Sequence, residues 1–99
     1  MAASKSSPRA GAESLAVQAL TYIGSDPDRL ARFLSMSGLG PQSLRAAARE
    51  PGFLAGVLEH VASDEALLVA FAAQEGIDPA EVDRARRLLS GADWERETP

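Results

Sequence analysis

Apolar residues recur at helical spacing in several short stretches of this chain. Ala16, Ala19, Leu20 and Ile23 fall at i, i+3, i+4 and i+7, so they share one face of a helix. The strongest stripe lies in the middle of the chain and consists of Phe53, Leu54, Val57, Leu58 and Val61. No stretch alternates apolar and polar residues with the period of two that a strand requires. The pattern therefore predicts helices and no strands.

Proline marks the start of most of these stretches. It suits the first turn of a helix because it lacks an N–H that would stay unpaired there, and because its φ is already set. The prolines that open apolar stretches are Pro27, Pro41, Pro51 and Pro79. Asp26 and Asp78 directly precede two of them and are predicted to be N-caps, while Ser63 is predicted to cap the fifth helix.

The spacing predicts an all-α fold, a compact orthogonal bundle of five or six short helices without a β-sheet. The 99 residues leave room for one domain, which we place at 12–91. Residues 1–11 are small and polar and are predicted to be a disordered N-terminal tail, and 92–99 a C-terminal tail. The first helix is expected from about Ala12.

The fourth helix is expected at the centre of the core, because its apolar arc is wide enough to contact several neighbours. Ten further residues complete the predicted core: Leu20, Ile23, Phe33, Leu34, Leu44, Leu67, Phe71, Ile77, Val82 and Leu89.

The composition of the chain indicates the cellular compartment in which the protein works. The chain has no cysteine, which excludes disulfides and thiolate metal sites and favours a reducing compartment. No run approaches the roughly 20 apolar residues of a membrane span, and the first residues have no hydrophobic stretch typical of a secretory signal. We therefore expect a soluble, cytoplasmic protein without a membrane partner.

Charge is distributed unevenly between the two halves of the chain. The net charge is −4, with six basic and four acidic residues in 1–50 but four basic and ten acidic residues in 51–99. An acidic protein is a poor electrostatic partner for nucleic acid. The first half of the chain is mildly basic, however, so binding to nucleic acid through this half is retained as an alternative.

That alternative is a DNA-binding helix-turn-helix through residues 30–49. Two predicted helices flank a glycine-containing turn, Ser37 to Gly40, as in that motif. The exposed residues of the second helix would then contact DNA: Gln42, Ser43, Arg45 and Arg49. Against this, Leu34 is large where the motif favours a small residue.

The sequence contains few residues in the arrangements typical of a catalytic or metal site. His60 is the single histidine, and a predicted helix break separates it from Asp64, so the pair is a poor ligand set. The acidic residues fall in predicted first turns or on polar faces, where capping and solubility explain them. We therefore expect no enzyme activity, no cofactor and no metal.

Binding to a partner protein is the function class that remains. Trp94 is a candidate anchor for a partner, although packing back onto the sixth helix is the favoured interpretation. Arg84 and Arg87 are further candidates, but pairing with Glu81 and Asp83 along the helix accounts for them as well.

Several segments resemble a known family. They are AESLAVQAL, DPDRLARFLSMSGL, REPGFLAGVLEHVASDEALLVAFAAQEGIDP and VDRARRLLSG, which together cover about residues 12–91. They are similar to a family of short alphaproteobacterial proteins catalogued as a domain of unknown function. The resemblance implies an all-helical bacterial protein without assigned activity, cofactor or catalytic residues. From the residues themselves we expect a non-enzymatic interaction module.

Overall fold

The computed structural model of the protein describes residues 8–50 and 52–90. These residues form six α-helices and no strand, as the sequence predicted. The helices are α1 (Pro8–Gly24), α2 (Pro27–Ser37), α3 (Pro41–Ala47), α4 (Phe53–Ala62), α5 (Glu65–Glu75) and α6 (Pro79–Ser90).

Aspartate side chains cap three of the helices. The Oδ1 atom of Asp26 accepts a hydrogen bond from the N–H of Asp28 at 2.8 Å, and that of Asp78 accepts one from the N–H of Ala80 at 2.9 Å. Both caps were predicted, and the proline that follows each one is the first helical residue. Each cap pairs an N–H that the helix itself leaves free.

The third cap corrects the prediction for α5. Asp64, and not Ser63, is the N-cap, since its Oδ1 accepts from the N–H of Leu67 at 3.2 Å. Ser63 ends α4, and its hydroxyl donates to the carbonyl of His60 at 3.0 Å. Aspartate is as good an N-cap as serine, so the shift by one residue carries no penalty.

The first helix also differs from its prediction. It begins at Pro8 and not near Ala12, so it includes residues 8–11, which the sequence analysis assigned to the N-terminal tail. Pro8 follows the same rule as the prolines of α2 and α6. Pro51 and residues 91–99 lie outside the described residues.

Two helices end in a glycine with left-handed backbone. Gly38 has a φ of 77° and Gly76 a φ of 70°, a conformation that other residues adopt only at a cost. The next residue in each case donates its N–H back to the helix, Leu39 to the carbonyl of Leu34 and Ile77 to that of Ala72. Leu39 and Ile77 are thereby packed against the core, where Ile77 was predicted to lie.

The core is built around α4, which packs against α1, α5 and α6. Helix α1 contributes a buried face of Ala12, Ala16, Ala19 and Ile23. The small side chains of the three alanines allow close approach to α4 and α6. The α4 side chains Val57, Leu58 and Val61 are fully buried. The central position predicted for this helix is therefore confirmed.

The ten further core residues divide into two groups. Ile23, Phe33, Phe71, Val82 and Leu89 are buried. The other five are partly buried against the core: Leu20, Leu34, Leu44, Leu67 and Ile77. The less buried group includes Leu34 and Leu44 because α2 has α1 as its main packing partner, while α3 belongs to none of the main helix pairings.

Candidate functional site

A groove open to solvent runs between α2 and α4 and has a volume of about 300 Å³. We call it the α2–α4 groove. It is lined by Phe33, Met36, Ser37, Gly56, Glu59, His60 and Ser63. Its floor is aromatic, because the buried ring of Phe33 lies edge-on to the ring of His60 with 5.1 Å between centroids.

Gly56 gives this groove its open wall. It lies inside α4, is exposed, and a Cβ built on it would have no atom within 4 Å. Glycine in the middle of a helix costs about 1 kcal/mol relative to alanine. Among residues 8–50 and 52–90, no close packing requires a glycine here, so packing within this part of the fold does not explain Gly56.

Met36 adds apolar surface to the same groove. Its side chain is 65% exposed, and it lies one turn beyond Arg32 on α2. Methionine is flexible and polarisable, which suits a surface that adapts to another molecule. The groove thus combines an exposed methionine, an aromatic floor and a wall without a side chain, beside the polar groups of Ser37, Glu59 and Ser63.

His60 joins the α2–α4 groove to a second pocket. That pocket, of about 270 Å³, lies between α2 and α5 and is lined by Asp28, Arg29, Arg32, His60, Asp64, Ala66, Leu67 and Ala70. Burial lowers the pKa of the His60 ring below its ordinary value, and the nearby Arg32 lowers it further, while the charge of Asp64 acts in the opposite direction. The ring is therefore neutral near pH 7.

Arg32 is the exposed cation of this surface. Its side chain is 66% exposed, and its Nε atom lies 3.9 Å from Oδ2 of Asp64, a loose ion pair. Arg29 is held more firmly, because its guanidinium lies 4.1 Å from the centre of the Tyr22 ring and close to Asp26. A pair as exposed and long as Arg32–Asp64 contributes little to stability, so Arg32 can exchange its partner at low cost.

Carboxylates line both depressions that meet at His60, Asp28 and Asp64 in one and Glu59 in the other. Within residues 8–50 and 52–90, no three of histidine, cysteine, aspartate and glutamate lie together as metal ligands. Asp64 is already the cap of α5. General acid–base catalysis needs ionisable groups that converge on a substrate, and Asp64, whose charge acts on the His60 ring, already has a structural role.

A third depression lies on another part of the surface, between α1 and α6. This α1–α6 groove has a volume of about 300 Å³ and is lined by Pro8, Gly11, Ala12, Leu15, Glu81, Arg84, Ala85 and Leu88. Gly11 resembles Gly56, since it lies inside a helix, is exposed, and has open space where a Cβ would be. Both exposed helix-interior glycines therefore border a groove.

The arginines predicted as partner-binding candidates lie on α6 and have acidic neighbours. Arg84 pairs with Glu81 at 3.4 Å and Arg87 with Asp83 at 3.5 Å, which confirms the intrahelical pairing that the sequence suggested. The structure does not bring either arginine to the α2–α4 groove, since neither belongs to its lining. Trp94 lies outside the described residues.

The DNA-binding candidates lie on the surface at and just after α3. Gln42, Ser43 and Arg45 are exposed on this seven-residue helix, and Arg49 is exposed just beyond it. A recognition helix needs firm support from the preceding helix. Helix α3 takes part in none of the main helix pairings, so that support is weak here.

Sequence reasoning missed Gly11, Met36 and Gly56. A glycine within a helical stripe was the available signal, because such a glycine costs stability and usually has a packing or functional reason. Whether it faces the core or the solvent depends on how the helices pack, which the spacing of residues does not reveal.

The sequence was compared with known protein families, curated proteins and solved structures, and one family model matches it. The model of a family described as "Protein of unknown function (DUF3572)" matches residues 9–92. That range includes the lining of all three depressions except Pro8. Neither the curated proteins nor the solved structures contain a match. Across the described part of the chain, no helix is both long and apolar enough to cross a bilayer.

Proposed function

Because the chain belongs to the DUF3572 family, whose function is unknown, we propose a function from the chemistry of its own surface. The protein is a non-enzymatic interaction module that binds a helix of a partner protein in the α2–α4 groove. Amphipathic helices bind in apolar grooves through side chains that recur every three or four residues. The bacterial origin and cytoplasmic location expected from the sequence stay predictions.

Gly56 is the observation that carries this proposal. A helix-interior glycine lowers stability, and open space lies where its side chain would be. A partner that approaches the α4 backbone at this point would explain why no side chain occupies the space. The apolar groups beside it, Met36 and Phe33, supply the contact area that an anchoring side chain needs.

The positive charge of Arg32, near the groove, indicates that the partner segment carries an acidic residue. Arg32 precedes Met36 by one helical turn, and its ion pair with Asp64 is long and exposed. A carboxylate on the partner can therefore bind the Arg32 guanidinium, with the two-point geometry that arginine favours. The expected partner segment is an amphipathic helix whose apolar residue lies over Gly56 and whose acidic residue lies near Arg32.

Two features support a function without catalysis. The single histidine of the chain has its ring packed edge-on against Phe33, and Asp64, a carboxylate beside it, caps a helix. In addition, none of the described polar or charged residues is fully buried, so they lack the water-poor surroundings that shift catalytic groups strongly.

The test begins with a photo-crosslinking amino acid in place of Met36, in the full chain expressed in its source organism. The crosslinked partner is identified and produced, and its dissociation constant is measured for the unmodified chain. Gly56→Leu should then weaken binding about tenfold or more, because a side chain in a well-packed interface costs roughly 1–3 kcal/mol.

Gly11→Leu is the matched control, since Gly11 is also exposed, helical and free of close neighbours, but borders the other groove. Binding that Gly56→Leu leaves unchanged would contradict the proposal. A crosslinked product that nuclease removes, or shifts of the amide signals of residues 41–49 on addition of a short DNA duplex, would favour the DNA-binding alternative instead.

A further inference from the structure

The α1–α6 groove has an apolar base and a gap in one side. Ala12 and Ala85 form the base and are 3% and 6% exposed, while Leu15 and Leu88 are partly buried beside them. Gly11 leaves the α1 side open, as no atom lies within 4 Å of where its Cβ would be. The groove therefore fits one flat apolar side chain that enters from outside.

The groove also lies where the chain leaves the last helix. Leu88, which lines it, is two residues before Ser90, the end of α6. The guanidinium of Arg9, on α1, donates a hydrogen bond to the Leu88 carbonyl at 3.0 Å. The first turn of α1 and the last turn of α6 are thus neighbours, and α6 ends beside the groove.

Three arginines and the carboxylates that pair with them lie at this end of the molecule, and one of these acidic residues, Glu81, lines the groove. The side chains of Arg9, Arg84 and Arg87 are 49%, 62% and 59% exposed, and each pairs with a carboxylate on its own helix at 3.4–3.7 Å. Residues 91–99 contain three acidic residues, Asp93, Glu95 and Glu97, against the single Arg96. Opposite charges of this kind attract at the short distances involved, and salt screens them.

We propose that residues 91–99 fold back over the α1–α6 groove and place the Trp94 indole between α1 and α6. Trp94 lies four residues beyond Ser90, a reach of up to about 13 Å when extended. Ala85 lies five residues before Ser90, or about 7.5 Å along the helix. The segment can therefore turn back and bring its tryptophan over the base of the groove, with its carboxylates near the arginines.

This inference is independent of the proposed function, because it concerns a different groove and a segment of the same chain. Trp94 is the single tryptophan, so its fluorescence reports on the segment alone. The measurement is acrylamide quenching and emission of the full chain, compared with N-acetyltryptophanamide as the free reference. We expect quenching several-fold slower than the reference and emission shifted to shorter wavelength.

Gly11→Leu fills the open side of the groove and should raise quenching to the level of the free reference while the circular dichroism stays helical. Gly56→Leu is the matched control and should leave Trp94 protected, because Gly56 borders the α2–α4 groove. High salt should raise quenching partly. Nuclear Overhauser contacts between the indole and the methyl groups of Leu15 and Leu88 test the same placement in the unmodified chain, should Gly11→Leu fail to fold.

Three results would overturn the proposal. Trp94 of the unmodified chain could be quenched as fast as the reference, or it could stay protected in a folded Gly11→Leu chain. Protection that increases with protein concentration would assign the groove to a segment from a second copy. Loss of partner binding in Gly56→Leu, with Trp94 still protected, separates the two proposals, since each then depends on its own groove.

Discussion

The α1–α4–α6 region and the α2–α3 region are joined to the fold in different ways. Each helix of the first region packs against at least two others of the main helix pairings, whereas α2 packs mainly on α1 and α3 on none. Helix α2 has one buried side chain, Phe33, and the described residues of α3 have none. Burial is therefore concentrated in the first region, while Met36 of the second region is the most exposed of the large apolar side chains that the structure describes.

The difference shows that a helix can be well capped and still be loosely attached. Helix α2 has an aspartate cap, a proline at its start and a glycine at its end. Local signals such as these decide where a helix begins and ends, but burial of its apolar face decides how firmly it is held. Met36 and Arg32 are exposed on α2 for this reason.

The largest expected effect contrasts a fully buried residue of α5 with a partly buried residue of the α2–α3 region. Phe71 is fully buried and its ring lies 5.5 Å from that of Tyr22, so Phe71→Ala should lower the free energy of unfolding by about 3–5 kcal/mol. Leu44 is partly buried on α3, and Leu44→Ala should cost less than about 2 kcal/mol, the lower end for buried leucines. Urea titration followed by circular dichroism measures both. Equal losses would mean that α3 is as firmly packed as α5.

Two glycines should respond to alanine with opposite signs. Gly38 ends α2 with a φ of 77°, where a Cβ is strained, so Gly38→Ala should destabilise the protein by about 1–2 kcal/mol. Gly56 has helical backbone and open space, so Gly56→Ala should stabilise it by about 0.5–1 kcal/mol. Thermal unfolding compares the two variants directly. If Gly56→Ala destabilises the isolated chain, the glycine has a packing role within the fold.

The cap at Asp64 tests the contact between α5 and the α2–α3 region. Asp64→Ala removes the hydrogen bond to the N–H of Leu67 and should cost about 1 kcal/mol. Asp64→Asn keeps a cap of similar quality but removes the charge opposite Arg32, so it should cost no more than a few tenths of a kcal/mol, as for other exposed ion pairs. A loss in Asp64→Asn as large as that in Asp64→Ala would show that the ion pair to α2 carries the stability.

The smallest expected effect is the pH dependence from His60. Burial, which is the main cause, lowers the pKa of His60 in the folded protein below its ordinary value of 6.5. As the pH falls below that value, the unfolded chain takes up a proton before the folded protein does, so stability falls until the pH passes the lowered pKa. His60→Gln should make stability less dependent on pH in this window. Urea titrations of both chains at several pH values measure the difference, and parallel curves would contradict the expected contribution.

Much of the fold could be predicted from local signals. Asp26 and Asp78 were recognised as caps because a short acidic side chain before proline satisfies the first free N–H groups. The apolar stripe of α4 was long and wide enough to indicate its central position. The start of α1 was missed because Pro8 lies among small polar residues, although it follows the same rule as Pro27 and Pro79.

The candidate site could be predicted only in part. Gly56 can be seen in the sequence as a glycine within a helical stripe. That it borders a groove depends on how α2 lies beside α4, which the stripe does not show. The same holds for Met36, since its spacing from the buried Phe33 does not show that the methionine side chain remains 65% exposed. The DNA-binding residues of α3 and the partner role of Arg84 and Arg87 remain predictions.

The sequence by itself determined the helical class, most helix boundaries and the residues of the central core, because caps, prolines and apolar periodicity act over a few neighbouring residues. Only the tertiary structure decided which helix faces stay uncovered, and so placed grooves beside Gly11 and Gly56. The physical reason is that a groove is the space between elements far apart in sequence. Its shape depends on how side chains from several helices pack, which no local pattern specifies.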